Sequence, residues 1–287
     1  MQSPSQPGHS RSSPELTPWR RIVAEIRAVG APGGRTRLGK CAVEGLRLCE
    51  RALRSGARID HAVHDRAFLE DTSPRTMALR LELERTGCRL HEIPTEAFIE
   101  LTEGRCLGGI VGTAALPQTR TLEEMLRGAS SVARLVVCVG FNDPGNLGAI
   151  VRSAHGTGAT GVITVGATGA FHPKAIRTSM GSLFRLPIIE YTARSQPPGE
   201  SPLRELASEL RALGVRTLAA VTSGGTSLPD LTRRENPLAL VFGSEAFGLE
   251  AHEVELFDER VSIPMSAGVD SFSVSAAAAM FLHELRI

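Results

Sequence analysis

Two rhythms of apolar residues alternate along this chain. Val43, Leu46, Cys49 and Leu53 recur at helical spacing, and Gly56 then fits a helix stop. Residues 58–63 read as a strand, 75–86 as a helix with Leu79 and Leu83 on one face and Gly87 at its end, and 88–93 as a second strand. Residues 95–102, with Thr95 as a cap, read as a short helix, and 109–116 as another strand. Such alternation predicts a small α/β/α unit. Residues 117–131 read as a linker with a helical turn or more at 122–126.

A second unit spans 132–287. Residues 135–139 form a continuous apolar run, as expected of a parallel strand buried on both faces. Further strands are predicted at 162–165, 186–191, 215–221, 238–242 and 260–264. Helices are predicted at 148–155, 173–183, 203–213, 250–256 and 273–285. The repeated order implies a parallel sheet of about six strands with helices on both sides.

The N-terminal end differs. Residues 1–18, rich in Ser, Pro and Gln, read as a disordered tail. Between residues 19 and 40, Arg20, Arg21, Arg27, Arg35, Arg37 and Lys40 stand against Glu25 alone. This stretch reads as a basic arm leading the first unit (19–116), either solvated or in contact with RNA.

Composition bounds the function. At 287 residues the chain suits two domains or one large one. The formal net charge is +1, from 32 Lys and Arg against 31 Asp and Glu, which excludes a strongly basic nucleic-acid binder but not a local patch. Only Lys40 and Lys174 are lysine. The positive charge is therefore almost all guanidinium, from codon bias or as planar forks for phosphate. Five scattered cysteines without a C-x-x-C pair or a His cluster read as free thiols in a reducing compartment, with no metal site. No apolar run reaches the ~18 residues that span a bilayer. The expectation is a cytoplasmic protein with no membrane partner.

Ligands of open parallel sheets bind beyond the carboxyl ends of the strands, so three strand ends matter. The first runs from Phe141 through Asp143-Pro144-Gly145 to a helix opening near Asn146, where free N–H groups favour an anion; Arg152 follows about two turns later. In the second, Phe242 leads into Gly243-Ser244-Glu245-Ala246-Phe247-Gly248. Gly243 would allow close backbone approach of a ligand, Gly248 a positive-φ turn, and Glu245 could orient an arginine or cap a helix. The third runs from Ile263-Pro264-Met265 through Gly268 to Ser271-Phe272-Ser273-Val274-Ser275, where Ser271 or Ser273 is a good N-cap.

Together the three loops resemble the SpoU/TrmH branch of the SPOUT superfamily, the knotted S-adenosylmethionine-dependent RNA ribose 2′-O-methyltransferases. Asn146, Gly148 and Arg152 match its Asn-x-Gly-x-x-x-Arg motif. Gly243, Glu245 and Gly248 match Phe-Gly-x-Glu-x-x-Gly, and Ile263, Pro264, Met265, Ser271, Val274 and Ser275 match the third motif. The segment 179–187 is also similar. Residues 38–116 resemble, more loosely, the ribosomal-protein L30e-like substrate-binding domain, best at Val43-Glu44-Gly45-Leu46-Arg47. Three departures stand out: Ser273 where the family has Asn, Phe272 where it has Leu, and Ala246 where it often has Gly.

The resemblance implies an α/β fold: a C-terminal parallel sheet tied in a trefoil knot, preceded by the small L30e-like domain. It implies S-adenosylmethionine as cofactor, without metal, held by Phe242, Gly243, Ser244, Gly248, Ile263, Met265, Phe272 and Ser273. It makes Arg152, Glu245, Asn146 and Ser271 the catalytic set. Guanidinium stays protonated, so Arg152 is read as a clamp for phosphate and developing alkoxide charge, held in register by Glu245. Arg35, Arg37, Arg47 and Arg152 are the candidate contacts to RNA. The implied substrate is 23S-type ribosomal RNA, with transfer RNA as the alternative, and the implied assembly a homodimer through the C-terminal domain. A catalytically silent RNA-binding domain is the competing reading. A nucleotide-dependent oxidoreductase would need an acidic residue after the second strand of the large unit, where Val165-Gly166 stands.

Overall fold

A computed structural model describes residues 18–105, 107–129, 132–192, 201–231 and 236–285. The expected tail lies, but for Pro18, outside these residues. Helices α1 (Pro18–Gly30) and α2 (Pro32–Leu38) come first. Then follow β1 (Lys40–Glu44), α3 (Leu46–Arg54), β2 (Ile59–His64), α4 (Arg66–Glu70), α5 (Pro74–Arg85), β3 (Arg89–Glu92), α6 (Thr95–Thr102) and β4 (Ile110–Ala115). The four strands order as β1-β4-β2-β3, with β4 antiparallel to both neighbours and β2 parallel to β3.

The basic stretch is not an arm. Ile22, Val23, Ile26 and Val29 of α1 are buried, the first three against Val63, Val111 and Phe98. Each fully buried aliphatic side chain is worth about 1.5–3 kcal/mol, well above a surface ion pair, so the apolar stripe docks the helix despite its arginines. Arg35 is 5% exposed, and its Nη1 donates to the carbonyls of Gly30 (2.9 Å) and Val29 (3.3 Å). It closes the end of α1 and is not a surface contact for RNA. Arg37 and Arg47 are exposed. A second correction concerns Val43, which lies on β1 and not on the helix. Gly45, at φ +94°, separates them, and a Cβ there would lie 2.6 Å from the Leu107 carbonyl oxygen.

The remaining elements are α7 (Leu122–Arg127), β5 (Arg134–Val139), α8 (Pro144–Gly156), β6 (Gly161–Val165), α9 (Pro173–Ser179), β7 (Ile188–Tyr191), α10 (Pro202–Ala212), β8 (Arg216–Ala220), β9 (Thr226–Ser227), β10 (Leu238–Phe242), α11 (Ala251–Val254), β11 (Glu259–Ser262) and α12 (Val274–Glu284). All pairings in this sheet are parallel, in the order β7-β6-β5-β10-β8-β11-β9. Among the described residues it has seven strands rather than six, because two-residue β9 is too short to show a period. Helix α9 stops at Ser179, four residues early, where Met180 and Gly181 take positive φ (51° and 88°).

Strand β5 shows why its sequence is apolar throughout. Leu135, Val137 and Val139 face Leu122, Leu206 and Leu210, whereas Val136 and Cys138 face Leu147, Ile150 and Phe281. Both faces are covered, so neither tolerates polar residues. Helix α7, expected as linker, is part of this core: Leu122 and Met125 are buried, and Thr121 and Glu124 form a capping box.

The two halves meet through charge and backbone. Glu44, 9% exposed, accepts from Arg105 Nε at 2.8 Å and from Arg177 Nη1 of α9 at 3.2 Å. Arg51 donates to the Met180 carbonyl at 2.7 Å, and Arg185 to Ser55 Oγ at 3.0 Å. Buried residues of both halves form one contiguous cluster.

Candidate functional site

Strand β10 lies between β5 and β8, where the chain direction across the sheet reverses, and ends at Phe242. The loop beyond it folds back on itself. The Gly248 N–H donates to the Ser244 carbonyl at 2.9 Å, and the two residues form an antiparallel bridge. Gly248 takes φ +68°, the positive value expected of it. A Cβ at Gly243 would collide with the Gly248 backbone, so its missing side chain makes room for the loop's own return.

Beyond β11 the chain turns at Gly268, φ +84°, and re-enters helix at α12. Ser273 is the N-cap of α12, its Oγ accepting from the Ala276 N–H at 3.4 Å. Serine and asparagine both serve as N-caps, so the departure from Asn keeps this role.

These two loops and the end of β8 enclose a cavity of about 350 Å³. Its buried floor includes Phe242, Gly243 and Phe281, and Ile263 and Met265 line one side. Ser244, Glu245, Gly248, Ser271 and Phe272 also line it. Among the described residues Glu245 is the only ionisable one in the lining. Val221 and Thr222, just past β8, and Phe247 on the rim were not singled out from sequence. The strand-end rule applied to β8 would have found the first two.

Glu245 ties this cavity to the first loop. Its Oε1 accepts from Asn146 Nδ2 at 3.3 Å and from the Asp143 N–H at 3.4 Å, and its Oε2 from the Asn142 N–H at 3.4 Å. A carboxylate thus sits at the N-terminus of α8, where the free amides and the helix dipole favour it. It does not hold Arg152. Among the described residues no hydrogen bond or ion pair joins the two, and Arg152 is an exposed residue of α8 outside the cavity lining. Arg152 lies six positions after Asn146 on the helix, about 9 Å along the axis. Ser273 and Asn146 also lie outside the lining.

The N-terminus of α8 is braced from α9. Asp143 Oδ1 accepts from the Gly145 N–H (2.8 Å) and from Lys174 Nζ (2.7 Å), and the Lys174 bond leads in holding its carboxyl below the usual range. Gly148 has its own reason. A Cβ there would collide with Thr178 Oγ1 and the Ala175 carbonyl, so the bare backbone lets α8 and α9 pack closely. Burial, with Glu245 adding to it, pushes the Cys138 thiol up. Among the described residues no group of His, Cys, Asp and Glu is arranged to hold a metal ion, and no helix is long and apolar enough to cross a membrane.

Comparison with known proteins agrees with this geometry. A model of the SpoU rRNA Methylase family matches residues 133–283. The chain is 30% identical over 296 residues to the 23S rRNA (uridine(2479)-2′-O)-methyltransferase of Streptomyces viridochromogenes, covering 96% of this chain and 95% of that one. It is 28% identical over 255 residues to the 23S rRNA (guanosine(2553)-2′-O)-methyltransferase RlmP of Bacillus subtilis, covering 88% and 90%. The solved structure of the SpoU methyltransferase AviRb from Streptomyces viridochromogenes, in complex with the cofactor AdoMet, superposes with a TM-score of 0.74 at 27% identity, over 92% of this chain and 96% of that one.

Proposed function

The chain belongs to the SpoU rRNA methylase family, and on that premise we propose that it transfers a methyl group from S-adenosylmethionine to a ribose 2′-oxygen of 23S-type ribosomal RNA. The observation that carries this reading is the Glu245 bridge. It joins the cavity formed by the second and third loops to the helix that bears Asn146 and Arg152.

The cavity fits the cofactor. Its volume of about 350 Å³ suits one small organic molecule. Phe242, Ile263 and Phe281 offer apolar surface to a purine, and the loop backbone around Gly243 and Met265 offers polar groups to its edge. The one charge among the described lining residues, Glu245, is of the sign that tolerates a sulfonium. Bound there, the cofactor supplies an electrophilic methyl whose carrier leaves as a neutral thioether.

The chain's own residues do the rest. The target ribose must be held in line, which is a matter of positioning. Asn146, fixed by Glu245, and Ser271 at the cavity are placed to hydrogen-bond the ribose or its phosphate. Arg152, unpaired among the described residues, is free to clamp a phosphate and to stabilise charge developing on the 2′-oxygen.

Finer parts of the reading rest on separate observations. A trefoil knot is supported by the insertion of β10 between β5 and β8 and by the return of α12 against α8. The L30e-like assignment of the first half is supported by its helix-sheet-helix layering and by exposed Arg37 and Arg47. A homodimer through the C-terminal half is supported by Arg152 lying outside the lining of its own cavity, where a second copy could supply it. A cytoplasmic location is supported by buried free Cys41, Cys49, Cys88 and Cys138. The test is to incubate the protein with tritiated S-adenosylmethionine and unmodified 23S or transfer RNA, and to map 2′-O-methylation. Label confined to transfer RNA would redirect the assignment; cofactor binding without label in any RNA would mark a silent domain.

A further inference from the structure

The chain has twelve Phe, Tyr and Trp residues, all of them described, and ten are buried or half-buried. The two exposed ones, Phe247 (87%) and Phe272 (39%), both line the same cavity. Phe272 carries an expected role toward the cofactor. Phe247 has none, and no other large apolar residue among the described ones is as exposed.

We propose that Phe247 is the stacking platform for the nucleobase of the RNA nucleotide being methylated. The inference rests on the RNA-methylating reading above. Three observations point to it. The ring is carried on a closed turn, pinned by the Gly248–Ser244 bond at 2.9 Å and by the Phe247 N–H to Ser244 Oγ at 3.4 Å. An apolar group held out in water by a braced turn is pre-organised for a partner. Two residues earlier, Glu245 reaches the N-terminus of α8, so the ring lines the cavity on the same turn that ties the cavity to Asn146. The cavity already has its own apolar floor in Phe242 and Phe281, which leaves most of the Phe247 ring outside for a second reactant. That reactant must present an accessible ribose, hence an unstacked nucleotide whose base needs a new face. An aromatic ring supplies one to any base.

The test compares Phe247→Ala, Phe247→Leu and Phe247→Trp with the wild-type full-length protein. The probe is unmodified 23S ribosomal RNA transcript, with tritiated S-adenosylmethionine as donor. Because the side chain is exposed, these changes should leave folding intact. Loss of one base stack should raise KM for the transcript about tenfold or more in the Ala variant. Leu keeps apolar area but no π face and should behave like Ala, whereas Trp should restore the wild-type KM. Tryptophan fluorescence of Phe247→Trp should be quenched by the transcript and not by S-adenosylhomocysteine. Cofactor affinity by calorimetry and oligomeric state by sedimentation should not change. A wild-type KM in the Ala variant overturns the inference. So does an equal loss of cofactor affinity, which would make the ring a cofactor lid, or a change of oligomeric state, which would make it a subunit contact. An inactive wild-type protein would sink the functional reading itself, whereas an active wild type with an indifferent Phe247→Ala sinks this inference alone.

Discussion

Glu245 and Asn146 stand 99 residues apart in sequence and meet at 3.3 Å between Oε1 and Nδ2. The same carboxylate accepts two backbone N–H groups at the start of α8. One side chain therefore sets the distance between the cavity and the helix that bears the proposed catalytic groups. Glu245→Gln keeps the size but replaces a carboxylate oxygen by a donor facing donors. Misplacement of reacting groups by about 1 Å can cost on the order of 100-fold, and a fall of that size in kcat is expected. Single-turnover methyl transfer with saturating RNA measures it; near-wild-type turnover would show that the bridge is structural decoration.

Arg152 lies outside the cavity lining, so its removal should separate chemistry from cofactor binding. Arg152→Ala should abolish methyl transfer and leave the cofactor affinity seen by calorimetry unchanged. Arg152→Lys should also be poor, because a point charge does not reproduce a two-pronged clamp. Strong activity in either variant, measured with tritiated cofactor, removes Arg152 from the proposed machinery.

Glu44 is held by Arg105 of its own half at 2.8 Å and, across the junction of the two halves, by Arg177 at 3.2 Å. Breaking a buried pair costs about 3–5 kcal/mol. Both arginines here are partly exposed and can turn to water, so about 2 kcal/mol is expected for Glu44→Ala. The urea midpoint of unfolding reads this out, and an unshifted midpoint would mean that Glu44 adds nothing to the joining of the halves.

The Lys174–Asp143 pair predicts a pH dependence. The Lys174 hydrogen bond and the Gly145 amide hold the Asp143 carboxyl below its ordinary value of 3.8. A depressed folded-state value contributes stability that is present above the unfolded-state value and lost as pH falls through the folded one. Lys174→Met should therefore be less stable than wild type near neutral pH. The difference should shrink once the pH drops below 3.8. Thermal unfolding across that range checks it; a gap that persists at the acid end would assign the effect to packing.

Much of this was legible in the chain. The apolar run at 135–139 announced a strand covered on both sides, and β5 is that strand. Gly248 announced a positive φ and has one. Ser273 announced a cap and is one. These are local properties, set by residues within a few positions of one another. In the basic stretch six charges mask the spacing of Ile22, Val23, Ile26 and Val29, which is helical and apolar.

By itself, then, the sequence determined the alternation of strands and helices, the three loops at strand ends, and the family they resemble, because period, turn chemistry and motif spacing are short-range. Tertiary structure alone decided what each special residue faces. It turned Arg35 inward, set Gly243 against Gly248 and Gly148 against α9, and gave Glu245 to Asn146 rather than Arg152. It also left Phe247 as the most exposed ring at the cavity. Those facts depend on which distant backbone arrives alongside, and the packing of the whole sheet and its helices chooses that.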